Sequence, residues 1–265
     1  MPRMPSLFVS HGSPMLAFED GPARRFLLGL APLLPEPRAI LVISAHYETG
    51  LPTVTTNPAP DTIHDFYGFP QALYRLRYPA PGAPELGQRV AGLLSSQGFE
   101  AETDPDRGFD HGAWVPLILI NPHADIPVIQ LSISPQRDPA WHYRLGEALR
   151  PLRDEGVMIL ATGSITHNLR DIMRTSPDAP PAAWASAFTE WIDEKVEARA
   201  IDDLLHYRER APNAVHAHPT EDHLLPFFVA LGAGAAESEP AARLHHSFTY
   251  GTLGMDVYAF GALPG

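Results

Sequence analysis

The chain has 265 residues, 45% of them hydrophobic and 19% charged, which is enough apolar material for a sizeable core. A formal net charge of -12, with no Lys/Arg run to make a basic patch, argues against a nucleic-acid or anionic-membrane partner. The absence of cysteine excludes disulfides, thiolate catalysis and thiolate metal sites, so a metal would have to sit on His and carboxylate, as non-haem iron, zinc or manganese do.

The first residues, Met1-Pro2-Arg3-Met4-Pro5, lack the apolar stretch of a signal peptide, and no run reaches transmembrane length, so a cytoplasmic protein is expected. Leu7-Phe8-Val9 reads as a buried strand that opens into the tight turn Ser10-His11-Gly12-Ser13-Pro14. Pro22 to Leu34 carries Phe26, Leu27, Leu30 and Leu33 at helical spacing, and Pro35-Glu36-Pro37 stops it. Ala39 to Ser44 is the next strand and delivers His46, which makes a strand-helix-strand crossover. Leu51 to Thr56 reads as a further strand.

Thr62-Ile63-His64-Asp65-Phe66-Tyr67-Gly68-Phe69-Pro70 is a polar-aromatic loop, and Leu73 to Tyr78 alternates as a half-exposed strand does. Pro84 to Gln97 is an amphipathic helix capped by Gly98. Gly108-Phe109-Asp110-His111-Gly112 introduces a short helix or turn from Trp114 to Ile120. Val128 to Ser132 and Val157 to Thr162 are buried strands, with a helix from Pro139 to Arg153 between them. His142 and His206, in charged helical surroundings, are expected at the surface. Ala182 to Asp203 is read as one long amphipathic helix with Trp184, Phe188, Trp191 and Ile192 inward. His216 to Leu231 holds a polar cluster and a helix, followed by a Gly/Ala-rich stretch. Leu244 to Tyr250 and Met255 to Phe260 then close the sheet as an antiparallel pair. The fold class expected is α/β: a single domain over 1–265, its central mostly parallel or mixed sheet flanked by helices and finished by antiparallel C-terminal strands.

Three apolar strands each deliver a histidine near their end: His11, His46 and, more loosely, His167 in Gly163-Ser164-Ile165-Thr166-His167-Asn168. Ligands gather at strand ends in open α/β sheets, and neutral imidazole is the commonest metal ligand. Read as the ends of adjacent parallel strands, His11 and His46 are expected to share a metal, with its third ligand supplied from His216-Ala217-His218-Pro219-Thr220-Glu221-Asp222-His223. That segment also reads as a helix start, with Thr220 as cap and Glu221 or Asp222 in the first turn. Asp110-His111-Gly112 sets a carboxylate beside a histidine on a glycine turn and suits proton handling; His167 could serve as ligand or as acid/base. Phe66, Tyr67 and Phe69 are candidates to wall an aromatic ring, and His64 to contact a polar substituent or Asp65. His218 is grouped with Phe66, Tyr67 and His64 as a substrate contact.

In this order, Ser10-His11-Gly12-Ser13-Pro14, Ile43-Ser44-Ala45-His46-Tyr47-Glu48, Ile63-His64-Asp65-Phe66-Tyr67-Gly68-Phe69-Pro70, Asp110-His111-Gly112-Ala113-Trp114-Val115-Pro116-Leu117, Gly163-Ser164-Ile165-Thr166-His167-Asn168-Leu169 and His218-Pro219-Thr220-Glu221-Asp222-His223 resemble the class III extradiol ring-cleavage dioxygenases, in the branch that includes 4,5-DOPA dioxygenase. The resemblance runs from Ser10 to Leu231. It implies one divalent metal per chain, iron(II) for dioxygenase activity or zinc(II) as isolated, and a small catechol and O2 as partners. His11, His46 and His223 match the metal ligands, and His167 matches a histidine at or beside the metal. His111 matches the acid/base histidine, with Asp110 orienting it. The wider class uses glutamate as third ligand, whereas the matching region here offers His223, with Glu221 and Asp222 close by. The implied reaction inserts O2 into a DOPA-like ring to give a ring-opened semialdehyde. The alternatives are a zinc-dependent hydrolase on the same histidines and a metal-binding module without turnover. Oligomeric state is left open.

Overall fold

Apolar runs too short to form helices become strands covered on both faces. In Leu7-Phe8-Val9, Leu7 and Val9 enter one core while Phe8 enters the other; Ile40 and Val42 share the first core, Leu41 and Ile43 the second. The computed structural model describes residues 3–234 and 240–263. In chain order it runs β1 (Ser6–Ser10), α1 (Pro22–Leu28), β2 (Ala39–Glu48), β3 (Thr53–Thr55), α2 (Pro84–Ser96), β4 (Glu102–Asp104) and α3 (His111–Ile120). It continues with β5 (Val128–Ile133), α4 (Pro139–Asp154), β6 (Val157–Gly163), α5 (Leu169–Ile172), α6 (Ala183–Glu197), α7 (Ile201–Leu205), α8 (Tyr207–Arg210), α9 (Ala214–Ala217) and α10 (Leu225–Gly234). The chain ends with β7 (Ala241–His245), β8 (Phe248–Thr249), β9 (Leu253–Gly254) and β10 (Val257–Phe260).

Among the described residues the main sheet has eight strands in the order β4-β3-β5-β2-β6-β1-β10-β7, and β8 and β9 form a separate antiparallel hairpin. The central strands β5, β2, β6 and β1 are parallel, and β10 and β7 add antiparallel edges. Helices α4 and α10 cover one face; α1 and α3 cover the other. This is the expected single α/β domain with a mixed sheet and antiparallel C-terminal strands. Among the described residues no helix is long and apolar enough to cross a membrane.

Several local readings are corrected. The strands carrying His11 and His46 are not neighbours: β6 lies between β1 and β2, so three histidine-bearing strands stand side by side. The helix expected to Leu34 stops at Leu28, because Gly29 caps it and Pro32 disfavours helical backbone at Ala31, leaving a 3-10 turn at Ala31–Leu33. Burial alternates only from Tyr74 to Tyr78, with Arg75 and Arg77 exposed and Tyr78 buried, and among the described residues no strand pairs with this segment. It forms a 3-10 turn at Leu73–Arg75 instead. The single helix expected over Ala182 to Asp203 breaks after Glu197, where Arg199 takes the left-handed conformation (φ +52) usually given to glycine.

The C-terminal pairing joins β7 to β10, with the β8–β9 hairpin between them, rather than Leu244–Tyr250 to Met255–Phe260 as one pair. β4, polar and at the sheet edge, carried no apolar signal. The Gly/Ala-rich stretch after Leu231 falls partly outside the described residues.

His142 is buried rather than at the surface. Its Nδ1–H donates to the Asp138 carbonyl (2.9 Å), and its Nε2 accepts from the Ser134 N–H (3.2 Å). Burial lowers its pKa to about 4. The unfolded chain takes this proton near pH 6.5 and the folded chain only near 4, so this contribution to stability is lost as pH falls through that window, up to about 3 kcal/mol. Urea unfolding at pH 7.5, 5.5 and 4.5 should therefore show a smaller acid loss for His142→Leu than for the wild type. Parallel losses would refute the assignment.

Candidate active site

The C-terminal ends of β1, β6 and β2 open onto a cavity of about 390 Å³, and five histidines reach it: His11, His46, His111, His167 and His223. His11 leaves β1 at the Gly12 turn, where φ is +60, and its N–H donates to the Gly163 carbonyl at the end of β6 (3.0 Å). His46 lies within β2, its N–H on Ser44 Oγ (3.1 Å) and its carbonyl accepting from Arg107 (3.1 Å). His223 comes from the turn before α10, and its carbonyl accepts from the Ser164 N–H (2.9 Å). That carbonyl approaches Gly163 so closely that any Cβ there would collide with it. Glycine at the end of β6 is therefore what lets His223 sit beside the other two.

Nε2 of His11 and of His46 lie 3.1 Å apart, and one donor atom from each of His11, His46 and His223 falls within 4.8 Å of the others. Burial, and then repulsion from the neighbouring rings, hold His11 well below the ordinary imidazole pKa and His46 at about 4. Burial and His167 depress His223 likewise, against the opposing pull of Asp222. All three are neutral near pH 7, the form that ligates a metal. The His11 Nδ1 is buried without a hydrogen-bond partner among the described residues. Three neutral, converging imidazoles fit a divalent ion held at 2.0–2.1 Å from nitrogen.

Around this triad stand two carboxylates. Asp222 is hydrogen-bonded to the His223 Nδ1, the arrangement that orients a metal-binding imidazole. Rather than start the helix, Asp222 stays on the turn, while α10 begins at Leu225. Asp65 accepts from the His111 Nδ1–H (3.0 Å) and from the His111 backbone N–H (2.9 Å), with its other oxygen 4.0 Å from the His46 Nδ1. Burial alone would raise Asp65, but the hydrogen bonds and charge of His111 bring it down to about 2. His167 lies flat on His223, ring centroids 3.5 Å apart and 6° from parallel; burial lowers its pKa to about 4 against the pull of Asp222. Its donor atoms group with Asp222 and His223 rather than with His11 and His46.

Asp110, expected to orient His111, does something else. It caps α3 by accepting from the Ala113 N–H (3.2 Å), and it takes further bonds from Ser44 Oγ (2.6 Å), Gln130 Nε2 (2.9 Å) and Arg107 (3.2 Å). It is fully buried and pins β2, β5 and α3 together under the site; Asp65 orients His111 instead.

Of the expected substrate contacts, His64, Phe66, Tyr67 and His218 are not among the residues lining the cavity. His64 donates to the Leu76 carbonyl (3.1 Å), Tyr67 is 91% exposed, and His218 is buried with its Nε2–H on the Ile165 carbonyl (2.7 Å). Phe66 packs behind His111, ring centroids 5.7 Å apart. Phe69, the third aromatic of that loop, does line it. Pro14, Leu169, Ile172, Tyr250 and Leu253 add further wall, and of these only Pro14 and Leu169 lie in motifs singled out from the sequence. Leu169 and Ile172 flank the charged pair Arg170-Asp171, and no apolar run in the sequence marked their place beside the histidines.

The family model described as the catalytic LigB subunit of aromatic ring-opening dioxygenase matches residues 5–261. The chain is 44% identical over 259 residues to 4,5-DOPA dioxygenase extradiol of Beta vulgaris, covering 96% of each chain. It is 41% identical over 257 residues to the protein of the same name from Escherichia coli K12, covering 96% of this chain and 93% of that one. The crystal structure of an uncharacterized protein, JW3007, from Escherichia coli K12 aligns with a TM-score of 0.82 at 35% identity, covering 98% of this chain and 100% of that one. Sequence, fold and clustered histidines agree, and the chain belongs to the LigB family of class III extradiol ring-cleavage dioxygenases.

Proposed function

We propose that this enzyme holds one divalent metal on His11, His46 and His223, iron(II) in the active form, and opens a catechol ring bearing a side chain, as DOPA does. The observation that carries this reading is the pairing of a neutral three-histidine cluster with a separate, carboxylate-tethered histidine in one cavity. When bound, iron(II) would chelate both catechol oxygens, ease their deprotonation and give electrons a route between ring and dioxygen.

The chain's own residues do the rest. Asp222 fixes the face that His223 presents to the ion. Asp65 holds the His111 proton on Nδ1, which leaves the Nε2 lone pair free to take a proton from a catechol hydroxyl. The same nitrogen, once protonated, is placed to return that proton as the ring opens. His167, stacked on His223, is a second proton carrier or a further ligand. Pro14, Phe69, Ile172 and Leu253 shield the ring from water, which strengthens every charge interaction at the site.

The zinc-hydrolase alternative is not favoured, because the family model and the named relatives are dioxygenases. The test is anaerobic loading of metal-free protein with iron(II), followed by L-DOPA and oxygen. Oxygen uptake matched to a yellow ring-opened product supports the proposal. Iron-loaded protein that consumes no oxygen with any catechol would sink it.

A further inference from the structure

Resting on that reading, we infer that Tyr250 contacts the substrate and sets its specificity: its phenol hydroxyl accepts a hydrogen bond from an ammonium group on the catechol's side chain. With both catechol oxygens on the metal, that side chain leaves the ring on the side away from the ion. Tyr250 lines the same cavity yet is in ring contact with none of the five histidines, so it stands where such a side chain points.

The backbone is strained to put it there. Tyr250 and Gly251 turn the β8–β9 hairpin with φ of +57 and +63, positions that Asn, Asp or Gly fill at least cost. A bulky residue in this conformation is an outlier, and such strain gathers at ligand-binding sites. Of the four non-glycine residues with positive φ among the described residues, Tyr250 alone lines the cavity. The segment after α5 holds it: the Tyr250 N–H donates to the Pro177 carbonyl (2.9 Å), and its carbonyl accepts from Thr175 Oγ1 (2.8 Å). The Gly251 carbonyl accepts from the Ala182 N–H (2.8 Å).

Outside the histidines, the polar side chains lining the cavity are Ser13, Ser164 and Tyr250. Ser164 Oγ donates to the Thr166 carbonyl (2.7 Å), and Ser13 Oγ accepts from the Met15 N–H (3.3 Å). The Tyr250 hydroxyl has no hydrogen-bond partner among the described residues. Its lone pairs are free for a donor on the substrate.

The neighbouring charge decides which donor. Ser13 and Leu253 also wall an adjoining pocket, whose charged lining is Glu19, Asp20, Asp178 and Arg24. Asp20 is paired with Arg25 (2.8 Å), and Arg24 Nε is turned to the Ala17 carbonyl (3.4 Å). The Glu19 side chain makes no hydrogen bond among the described residues, and its charge reaches the Tyr250 phenol, which burial and then Glu19 push up in pKa. Arg170 and Arg174 are exposed on the strap beside the mouth but line neither space. A cation at the hydroxyl is therefore attracted by Glu19, and a carboxylate in the same place is repelled.

The experiment compares L-DOPA, dopamine, which lacks the carboxylate, and dihydrocaffeate, which lacks the amine, as substrates of the iron-loaded enzyme. The expected kcat/KM for both amines is at least about tenfold above that for dihydrocaffeate, the worth of one hydrogen bond to a charged group. In Tyr250→Phe, which removes only the hydroxyl, that ratio should fall toward one, mainly through a higher KM for the amines. Tyr250→Gly suits the left-handed backbone better than tyrosine and should show the same loss of preference in a folded, iron-loaded chain. Dihydrocaffeate used as well as L-DOPA, or a ratio unmoved in both variants, would overturn the inference while leaving the dioxygenase reading intact. Turnover of none of the three by the wild type would instead remove the reading on which it rests.

Discussion

In a His223→Ala variant, iron loading should become substoichiometric and ring cleavage should fall to background. His223 supplies the only one of the three clustered nitrogens that does not come from β1 or β2, so its loss leaves two imidazoles and an open face. Metal analysis after gel filtration, beside oxygen uptake, reads both effects. Asp222→Asn separates ligand from support, because the His223 ring stays but loses the carboxylate that orients it. Metal affinity should then weaken about 10–100-fold, with activity regained at saturating iron. Full iron retention in His223→Ala would remove this residue from the metal site.

The second large effect concerns the proton. His111→Ala should retain metal and lose about 10²–10⁴ in kcat, the usual range for a removed acid/base group. Asp65→Ala should show a smaller loss of the same kind, about 10²-fold, because His111 remains but its tautomer and tilt are no longer set. Asp65 does not line the cavity, so KM should change little while kcat falls. A change confined to KM would argue that His111 binds substrate rather than moving a proton. Asp110→Asn, by contrast, should lower folding stability, since its four donors tie β2, β5 and α3 together.

The contrast between Asp65 and Asp110 shows how far sequence reading reaches. Asp110 stands next to His111 in the chain, which made it the natural partner. Yet an aspartate directly before a helix caps that helix, and the Ala113 N–H is where its carboxylate goes. The true partner is 46 positions away, on a loop whose path depends on Trp114 bonding the Ile63 carbonyl (2.9 Å). His142 was a different kind of miss. Its charged neighbours suggested solvent, but Leu145, Leu149 and Leu152 follow it at helical spacing, and all are buried on the same face.

By itself, the sequence determined the α/β class, the histidines that end the central strands and the family, because these depend on short local patterns: apolar runs, a following glycine or proline, and motif order. His11 and His46 were legible for that reason, each lying at or beyond a run of buried residues. Only the tertiary structure decided that β6 separates their strands, that Gly163 makes room for His223, and that Asp65 holds His111. It also brought Leu169, Ile172, Tyr250 and Leu253 to the wall of the cavity. Each of these is a meeting of segments far apart in the chain, set by strand order and close packing, and no local periodicity encodes it.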